Sequence, residues 1–314
     1  MFKPALLLIP LVFCSCAPRQ DSAAARTDDQ TSNGPKPEAL FPVKVTGGYG
    51  YIDTSGKVVL KGPYGGASRF SEGLAAVQMT KAAPVGYIDT TGKMVIAPQF
   101  GLGDPFSEGM AAVMQDRKWG YIDKTGKLVI PFLFGAGQPF VNGRAAVVSL
   151  AKGIPEYGYI NTKGEFPNET RYDMAMPYGE ELAAVRSFAE KFKFIDVAGK
   201  VAIPPQFLSG GQFAEGLAPV QAQTPEGVRW GYIDKQGKMV VPAKYTNALP
   251  FAEGLAPIQL LSGKWGFIDA KGATVIAPQW DQAGSFAHGL AQVWVGTDKF
   301  GYINKDGKFV WEVQ

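Results

Sequence analysis

Lys118-Trp119-Gly120-Tyr121-Ile122-Asp123-Lys124-Thr125-Gly126-Lys127 decides the fold of this chain, because variants of it recur eight times. The position of its Trp-Gly glycine is held in turn by Gly50, Gly86, Gly120, Gly158, Lys193, Gly231, Gly266 and Gly301, 34 to 38 residues apart. A spacing of that kind, sustained along most of the chain, marks tandem units that each form one small motif.

Each unit carries three short apolar pieces. The first is Leu-Ala-x-Val, as in Leu74-Ala75-Ala76-Val77 or Leu217-Ala218-Pro219-Val220. The second is the aromatic-Gly-Tyr-Ile-Asp stretch, and the third follows Gly-Lys, as in Leu128-Val129-Ile130-Pro131. Pieces this short, rich in β-branched and aromatic residues and bounded by Gly, Asp or Pro, read as strands. The link from second to third is Asp-x-x-Gly-Lys, seen at Asp123 to Lys127 and Asp234 to Lys238, and at Asp269 with Gly272. An Asp side chain caps such a turn and the Gly takes its left-handed residue, so these aspartates read as turn residues. Asn161 and Asn304 can replace Asp because they make the same bond. A ring of Ca²⁺-binding carboxylates is the competing reading, but each Asp comes alone, without the several oxygens Ca²⁺ needs.

Proline orders the strands. Pro42, Pro219 and Pro257 lie in the first strand, and Pro98, Pro131, Pro204, Pro242 and Pro278 are expected to end the third. No central strand contains proline. Proline cannot donate to a ladder, which predicts a three-stranded meander with the Trp-Gly strand in the middle and the other two at the edges. In the central strand Trp119 and Tyr121 share one face, Gly120 and Ile122 the other. Both faces are apolar, so both should be covered, the aromatic face of one unit resting on the glycine-sized dent of the next. Lys193 fills that dent in the weakest unit and should loosen the joint there. The fold expected is all-β: eight antiparallel three-stranded units of roughly 35 residues stacked face to face, either closed as a propeller-like ring or open as a β-solenoid.

Composition agrees. The 314 residues include 39 Gly and 23 Pro, with 12% aromatics and 46% apolar residues, which suits a turn-rich β protein and excludes a disordered chain. A net charge of +3 without a long basic run gives no footprint for nucleic acid. The two cysteines, Cys14 and Cys16, stand at the N-terminus, so residues 17–314 can form neither a disulfide nor a thiolate metal site.

Lys3 followed by the apolar run Ala5 to Phe13 is too short to span a bilayer and reads as a signal peptide over residues 1–15. Ser15-Cys16 resembles the lipobox of bacterial lipoproteins, a small residue before the modified Cys. That resemblance implies cleavage before Cys16, acylation of its thiol and, with Ala17 following, sorting to the outer membrane. Residues 16–39 then form a polar, Pro-containing tether, and 40–314 the repeat domain.

Three motifs recur in order over residues 40–314: Trp-Gly-Tyr-Ile-Asp, Gly-Lys-x-Val-Ile-x-Pro and Phe-Ser-Glu-Gly-Leu-Ala. They resemble the WG repeat family of bacterial proteins, as Trp119-Gly120, Trp230-Gly231 and Trp265-Gly266 illustrate. Tyr49, Val85, Tyr157, Phe192 and Phe300 keep bulk but not indole at the Trp position, and the fourth unit degenerates after Gly164. The resemblance implies a binding or scaffold role at the cell surface and carries no general catalytic activity. A weaker likeness, in hairpin composition only, is to cell-wall-binding repeats.

The residues themselves offer little chemistry. His288, the single histidine, stands where other units have Glu108, Glu215 or Glu253. Ser71 and Ser107 recur without a His partner, which gives no triad. Glu72, Glu108, Glu215 and Glu253 recur once per unit, whereas a glycosidase pair would be unique. Trp119, Trp230 and Trp265 could stack sugars, but the face argument places them in the core. The expectation is a lipid-anchored envelope protein without catalytic, cofactor or metal residues, joined to the membrane through Cys16 and binding an envelope protein or glycan. A carbohydrate-active enzyme with a cleft on the repeat scaffold is the alternative, and a plain spacer the third. Recognition is expected in the Pro-x-Phe…Glu-Gly loops, which join each third strand to the next unit.

Overall fold

The computed structural model describes residues 39–150, 153, 155–167 and 170–313. The signal peptide, Cys16 and the tether up to residue 38 lie outside the described residues. Among those described, every regular element is a strand. They form eight small antiparallel sheets, one per repeat, that close into a ring: an eight-bladed β-propeller.

Blade 1 contains β1 (Phe41–Val45), β2 (Gly48–Ile52) and β3 (Val58–Tyr64), in that spatial order. Blade 2 adds a two-residue strand at its inner end: β4 (Gly66–Ala67), β5 (Leu74–Gln78), β6 (Val85–Asp89) and β7 (Met94–Phe100). The other blades repeat that order, except that among the described residues blade 4 has no third strand, only a single bridge of Tyr172 to Tyr157 of its central strand. There, among the described residues, Phe166 packs edge-on to Phe134 at 6.2 Å and Arg171 lies 4.0 Å over Phe166. First strands such as Leu74–Gln78 are buried almost throughout, while third strands such as Leu128–Phe134 alternate between exposed and buried. The first-strand end of each sheet therefore faces the axis and the third strand forms the rim.

The Trp-Gly strand is central, as its lack of proline predicts. The first strand is not an edge, because the short inner strand pairs with it, as at Ala67 opposite Val77. Proline survives there for a local reason. In blade 2 the amide of Ala76, the residue aligned with Pro219 and Pro257, points inward to Ser68 Oγ at 2.9 Å rather than into the ladder. Removing that N–H leaves the sheet intact. Nor does proline end the third strand. Pairing runs Tyr121 with Ile130 and then Trp119 with Phe134, so two extra residues bulge out of the third strand and Pro131 sits in the bulge.

The bulge also explains the repeated glycine. A Cβ on Gly120 would stand 2.6 Å from Ile130 O and 3.0 Å from Pro131 C, and Gly86, Gly231 and Gly266 meet the same obstacle at 2.7, 2.6 and 2.6 Å. The dent is filled by the sheet's own third strand, not by the neighbouring blade as the sequence suggested. In blade 5 Lys193 holds this position under the same register, Phe192 opposite Phe207 and Phe194 opposite Ile203, with its ammonium 3.1 Å from Glu190.

Blades pack in the expected sense, aromatic face onto the Gly/Ile face of the next. Val85, Tyr87, Ile96 and Phe100 of blade 2 cluster with Ala111, Val113 and Ile122 of blade 3. Each Phe of the Pro-x-Phe loops plugs the joint, Tyr121 meeting Phe140 at 4.9 Å and Tyr87 meeting Phe106 at 5.1 Å. Such aromatic pairs add about 0.5–1.5 kcal/mol beyond the area they bury. The central tyrosine then reaches across: Tyr51, Tyr87, Tyr121, Tyr159 and Tyr232 donate their hydroxyls to Ser68 O, Asp104 O, Gln138 O, Met176 O and Leu249 O, each at 2.6–2.9 Å. The ring closes with the same chemistry. Tyr302 of blade 8 donates to Pro42 O of blade 1 at 3.0 Å, and Phe41, Val43 and Ile52 share a core with Phe300 and Tyr302.

Candidate functional site

The strands run so that one end of the ring carries the Asp-x-x-Gly and Glu-Gly turns and the other carries the hairpins between first and central strands. The turn face is closed on itself. Asp123 Oδ1 accepts from Thr125 N at 2.9 Å, Thr125 Oγ1 at 2.6 Å and Lys127 N at 3.1 Å, and Gly126 takes φ +86°. Asp234 and Asp269 accept the equivalent pairs of amides, and Asn161 and Asn304 do the same. These hydrogen bonds hold the Asp123 carboxyl below its ordinary range. Its acceptor capacity is spent on the turn, as the spacing predicted. Gly126 is constrained twice, because a Cβ there would also lie 2.9 Å from Ile96 of the preceding blade.

The Glu-Gly turns are used up in the same way. Glu72, Glu108, Glu215 and Glu253 sit at φ 52–54°, the left-handed first residue of a tight hairpin turn. Each carboxylate accepts from the turn amides of the next blade: Gly109 N to Glu72 at 3.0 Å, Asn142 N and Gly143 N to Glu108 at 2.7 Å each, Gly254 N to Glu215 at 2.9 Å, Gly289 N to Glu253 at 3.0 Å. Lys124 adds an ion pair to Glu72 at 3.1 Å and Lys305 one to Glu253 at 3.3 Å. Ser71 and Ser107 donate to Phe106 O and Phe140 O of the next blade at 2.7 and 2.6 Å. The loops in which recognition was expected are thus the joints of the ring.

The hairpin face differs. Its connections change length and composition from blade to blade, and they expose large apolar side chains: Leu261 (72%), Phe188 (61%), Met79 (48%), Val295 (48%) and Leu150 (46%). A shallow cleft of about 460 Å³ opens there beside blade 2, lined by Gln78, Lys81, Pro84, Phe100 and Leu102. These side chains stand one to a hairpin, on blades 2, 4, 5, 7 and 8, and the rim strands expose others such as Leu133 (61%) and Val275 (50%).

One carboxyl falls outside both patterns. Asp104 follows the inner strand of blade 3, where other blades have Ser68, Gln138, Met176 or Leu249. Burial raises its carboxyl to about 6, and no hydrogen bond or ion pair to it is present among the described residues. Its signal in the sequence was that it does not recur.

The tryptophans belong to the core: Trp119 and Trp265 are buried and Trp230 packs half-buried against its cluster. Gly231 and Gly266 repeat the geometry of Gly120. His288 takes φ 50°, the Glu position of the last turn. Among the described residues no three His, Cys, Asp or Glu side chains converge as metal ligands, and no helix is long and apolar enough to cross a membrane.

No curated protein sequence matches the chain. Among solved structures it is similar to apo AztD from Citrobacter koseri, at 14% identity and a TM-score of 0.48 over 83% of this chain and 90% of that one. BamB from Moraxella catarrhalis is similar at 12% identity and a TM-score of 0.46, over 89% and 97%. The model of the WG containing repeat matches seven times, at residues 49–81, 86–119, 119–149, 157–187, 194–222, 230–265 and 265–294. Those matches take in most of the chain, each running from the central strand of one blade into the first strand of the next: the protein belongs to the WG repeat family.

Proposed function

We propose that the protein is a lipid-anchored component of the bacterial cell envelope, held through Cys16 at the outer membrane, and that its ring is a non-catalytic binding module for another envelope protein. The observation behind this reading is the contrast between the two faces. The turn face spends its polar groups on its own joints, whereas the hairpin face exposes Leu261, Phe188 and Leu150. Leu261, Leu150 and Met79 offer no ring on which a sugar could stack, and Phe188 alone does so among the exposed side chains named on this face, a balance that favours a protein partner over a glycan. Eight blades on one rigid ring would also present several contacts at once.

The test is cross-linking of the chain in its native envelope, followed by identification of what is captured. Leu261→Ser with Phe188→Ser should abolish capture without lowering the thermal midpoint. Capture unchanged in that double variant removes the hairpin face from consideration. The anchor is tested separately by incorporation of labelled palmitate, present in the wild type and absent from Cys16→Ser.

A further inference from the structure

Charge is compensated unevenly over the hairpin face. Near the hairpins of blades 5 and 7 cations find carboxylates: Arg186 meets Asp173 at 3.0 Å, Lys193 meets Glu190 at 3.1 Å and Lys264 meets Asp281 at 2.6 Å. Lys191, Arg229 and Lys299 each share a hairpin with a carboxylate, Glu190, Glu226 and Asp298. The neighbouring hairpins of blades 2 and 3 are different. Together they carry Lys81, Arg117 and Lys118 against Asp116 alone, and no ion pair engages any of the three cations among the described residues.

These two hairpins stand on either side of the cleft. Lys81 and Pro84 of the blade 2 hairpin line it directly. On the other side Gly101 N donates to Met114 O at 2.8 Å and Leu102 pairs with Met114, which sets the foot of the blade 3 hairpin against the cleft wall. Lys118 alternates with Gly120 and Ile122, so it shares the face of blade 3 that packs on blade 2 and is directed toward the cleft. Phe100 and Leu102 give the lining its apolar part, and no carboxylate contributes to it.

The site is also shaped in advance. Gln78 Nε2 donates to Ala83 O at 2.8 Å and pins the blade 2 hairpin from within. A Cβ on Gly65 would stand 2.3 Å from Thr80 C, so that hairpin lies directly on the loop beneath it. Little ordering is left to be done on binding. A volume of about 460 Å³ lies in the range of ligand pockets, roughly 300–1,000 Å³.

We propose that this cleft receives an acidic segment of the partner protein: one apolar side chain enters against Phe100, Leu102 and Pro84, and carboxylates beside it meet Lys81 and Lys118. The inference rests on the reading of the hairpin face as the one that binds an envelope protein, and it adds the chemistry of what is bound. Cations without partners on both sides of an apolar recess are complementary to such a segment and would steer it in. A bilayer is flat and would call for cations on every blade, whereas a recess between two hairpins fits a protruding chain.

Fluorescence anisotropy on the full chain tests this with a labelled five-residue probe peptide, one leucine between two pairs of glutamates, and a second peptide with glutamines in place of the glutamates. The wild type should bind the glutamate peptide, more weakly as salt is raised, and should ignore the glutamine peptide. Lys81→Gln with Lys118→Gln should weaken binding roughly tenfold, and Leu102→Ser should weaken it too, with unchanged thermal midpoints. Lys191→Gln with Lys299→Gln removes the same charge elsewhere on the face and should leave binding close to wild type. No binding by the wild type, equal binding of both peptides, or equal losses in the two charge variants overturns the proposal. So does binding of phosphatidylglycerol vesicles by a protein that ignores the peptide. If Lys81→Gln with Lys118→Gln loses the peptide but still captures its partner in the envelope, the cleft is not the partner's seat, while the partner reading itself stands.

Discussion

Gly120→Ala is the sharpest test of why a Trp-Gly strand needs its glycine. The added Cβ would sit 2.6 Å from Ile130 O, 3.0 Å from Pro131 C and 3.1 Å from Phe132 Cδ1. An ordinary carbon–oxygen contact is roughly 0.6 Å longer, so the bulge must lift or the pairing of Tyr121 with Ile130 must stretch. Overpacking against backbone of this kind costs about 1–3 kcal/mol. A midpoint falls by roughly 2–4 °C per kcal/mol in a domain of 150–250 residues and by less in a longer one. A loss of a few degrees is therefore expected. Urea unfolding followed by tryptophan fluorescence measures the effect, with Trp119 buried beside the change. Blade 5 supplies the control. Lys193 already carries a Cβ under the same register, so Lys193→Ala adds no contact with the third strand; it removes the Glu190 ion pair and part of a stem whose side chain is only 17% exposed, and should cost no more than about 1 kcal/mol. If Gly120→Ala proves as mild as Lys193→Ala, the crossing of the third strand is not what demands glycine.

Three further outcomes are expected. Tyr121→Phe should cost about 1 kcal/mol, because Gln138 O loses its donor while the ring stays in its joint; Phe194 and Phe267, which hold this position without a hydroxyl, show that the loss is survivable, and calorimetry gives the number. Asp104→Asn should raise the thermal midpoint at pH 8 and leave it unchanged near pH 3. Its folded carboxyl, at about 6, titrates above the unfolded value, so the native state is penalised increasingly as pH rises through that window; a pH-independent difference would refute the assignment. The turn aspartates act with the opposite sign. Asp53, Asp89 and Asp123 titrate below their ordinary value, so their contribution is full above about pH 4 and is lost as pH falls through the lowered folded values, visible as a midpoint that drops on acidification and drops less in Asp123→Asn.

Local chemistry was legible in the sequence and register was not. Asp123 and Gly126 announce their turn because the Asx bond and the positive φ are satisfied within five residues. The central place of the Trp-Gly strand followed from where proline is absent. The inner strands were hidden, since two residues such as Gly66–Ala67 show no periodicity. The bulge was hidden because it depends on how Ile130 and Phe134 pair with a distant strand, and proline in its middle imitates a strand end. Ring or spiral was open because closure rests on the accumulated rotation between blades, which no single repeat encodes. At the candidate surface, recurrence marked the joints; Leu261, Phe188 and Asp104 drew no notice because they are what the repeats do not share.

Closure has a consequence for how such a chain can change over generations. An open stack can gain or lose a unit at either end and remain a stack. In this ring Tyr302 is already bonded to Pro42 and Gly56 already rests on Val310, so the first and last units are each other's neighbours. Inserting or deleting one repeat would alter the angle at every joint. Novelty is therefore channelled away from unit number and into the hairpins, which can lengthen, shorten or swap side chains without any blade having to move.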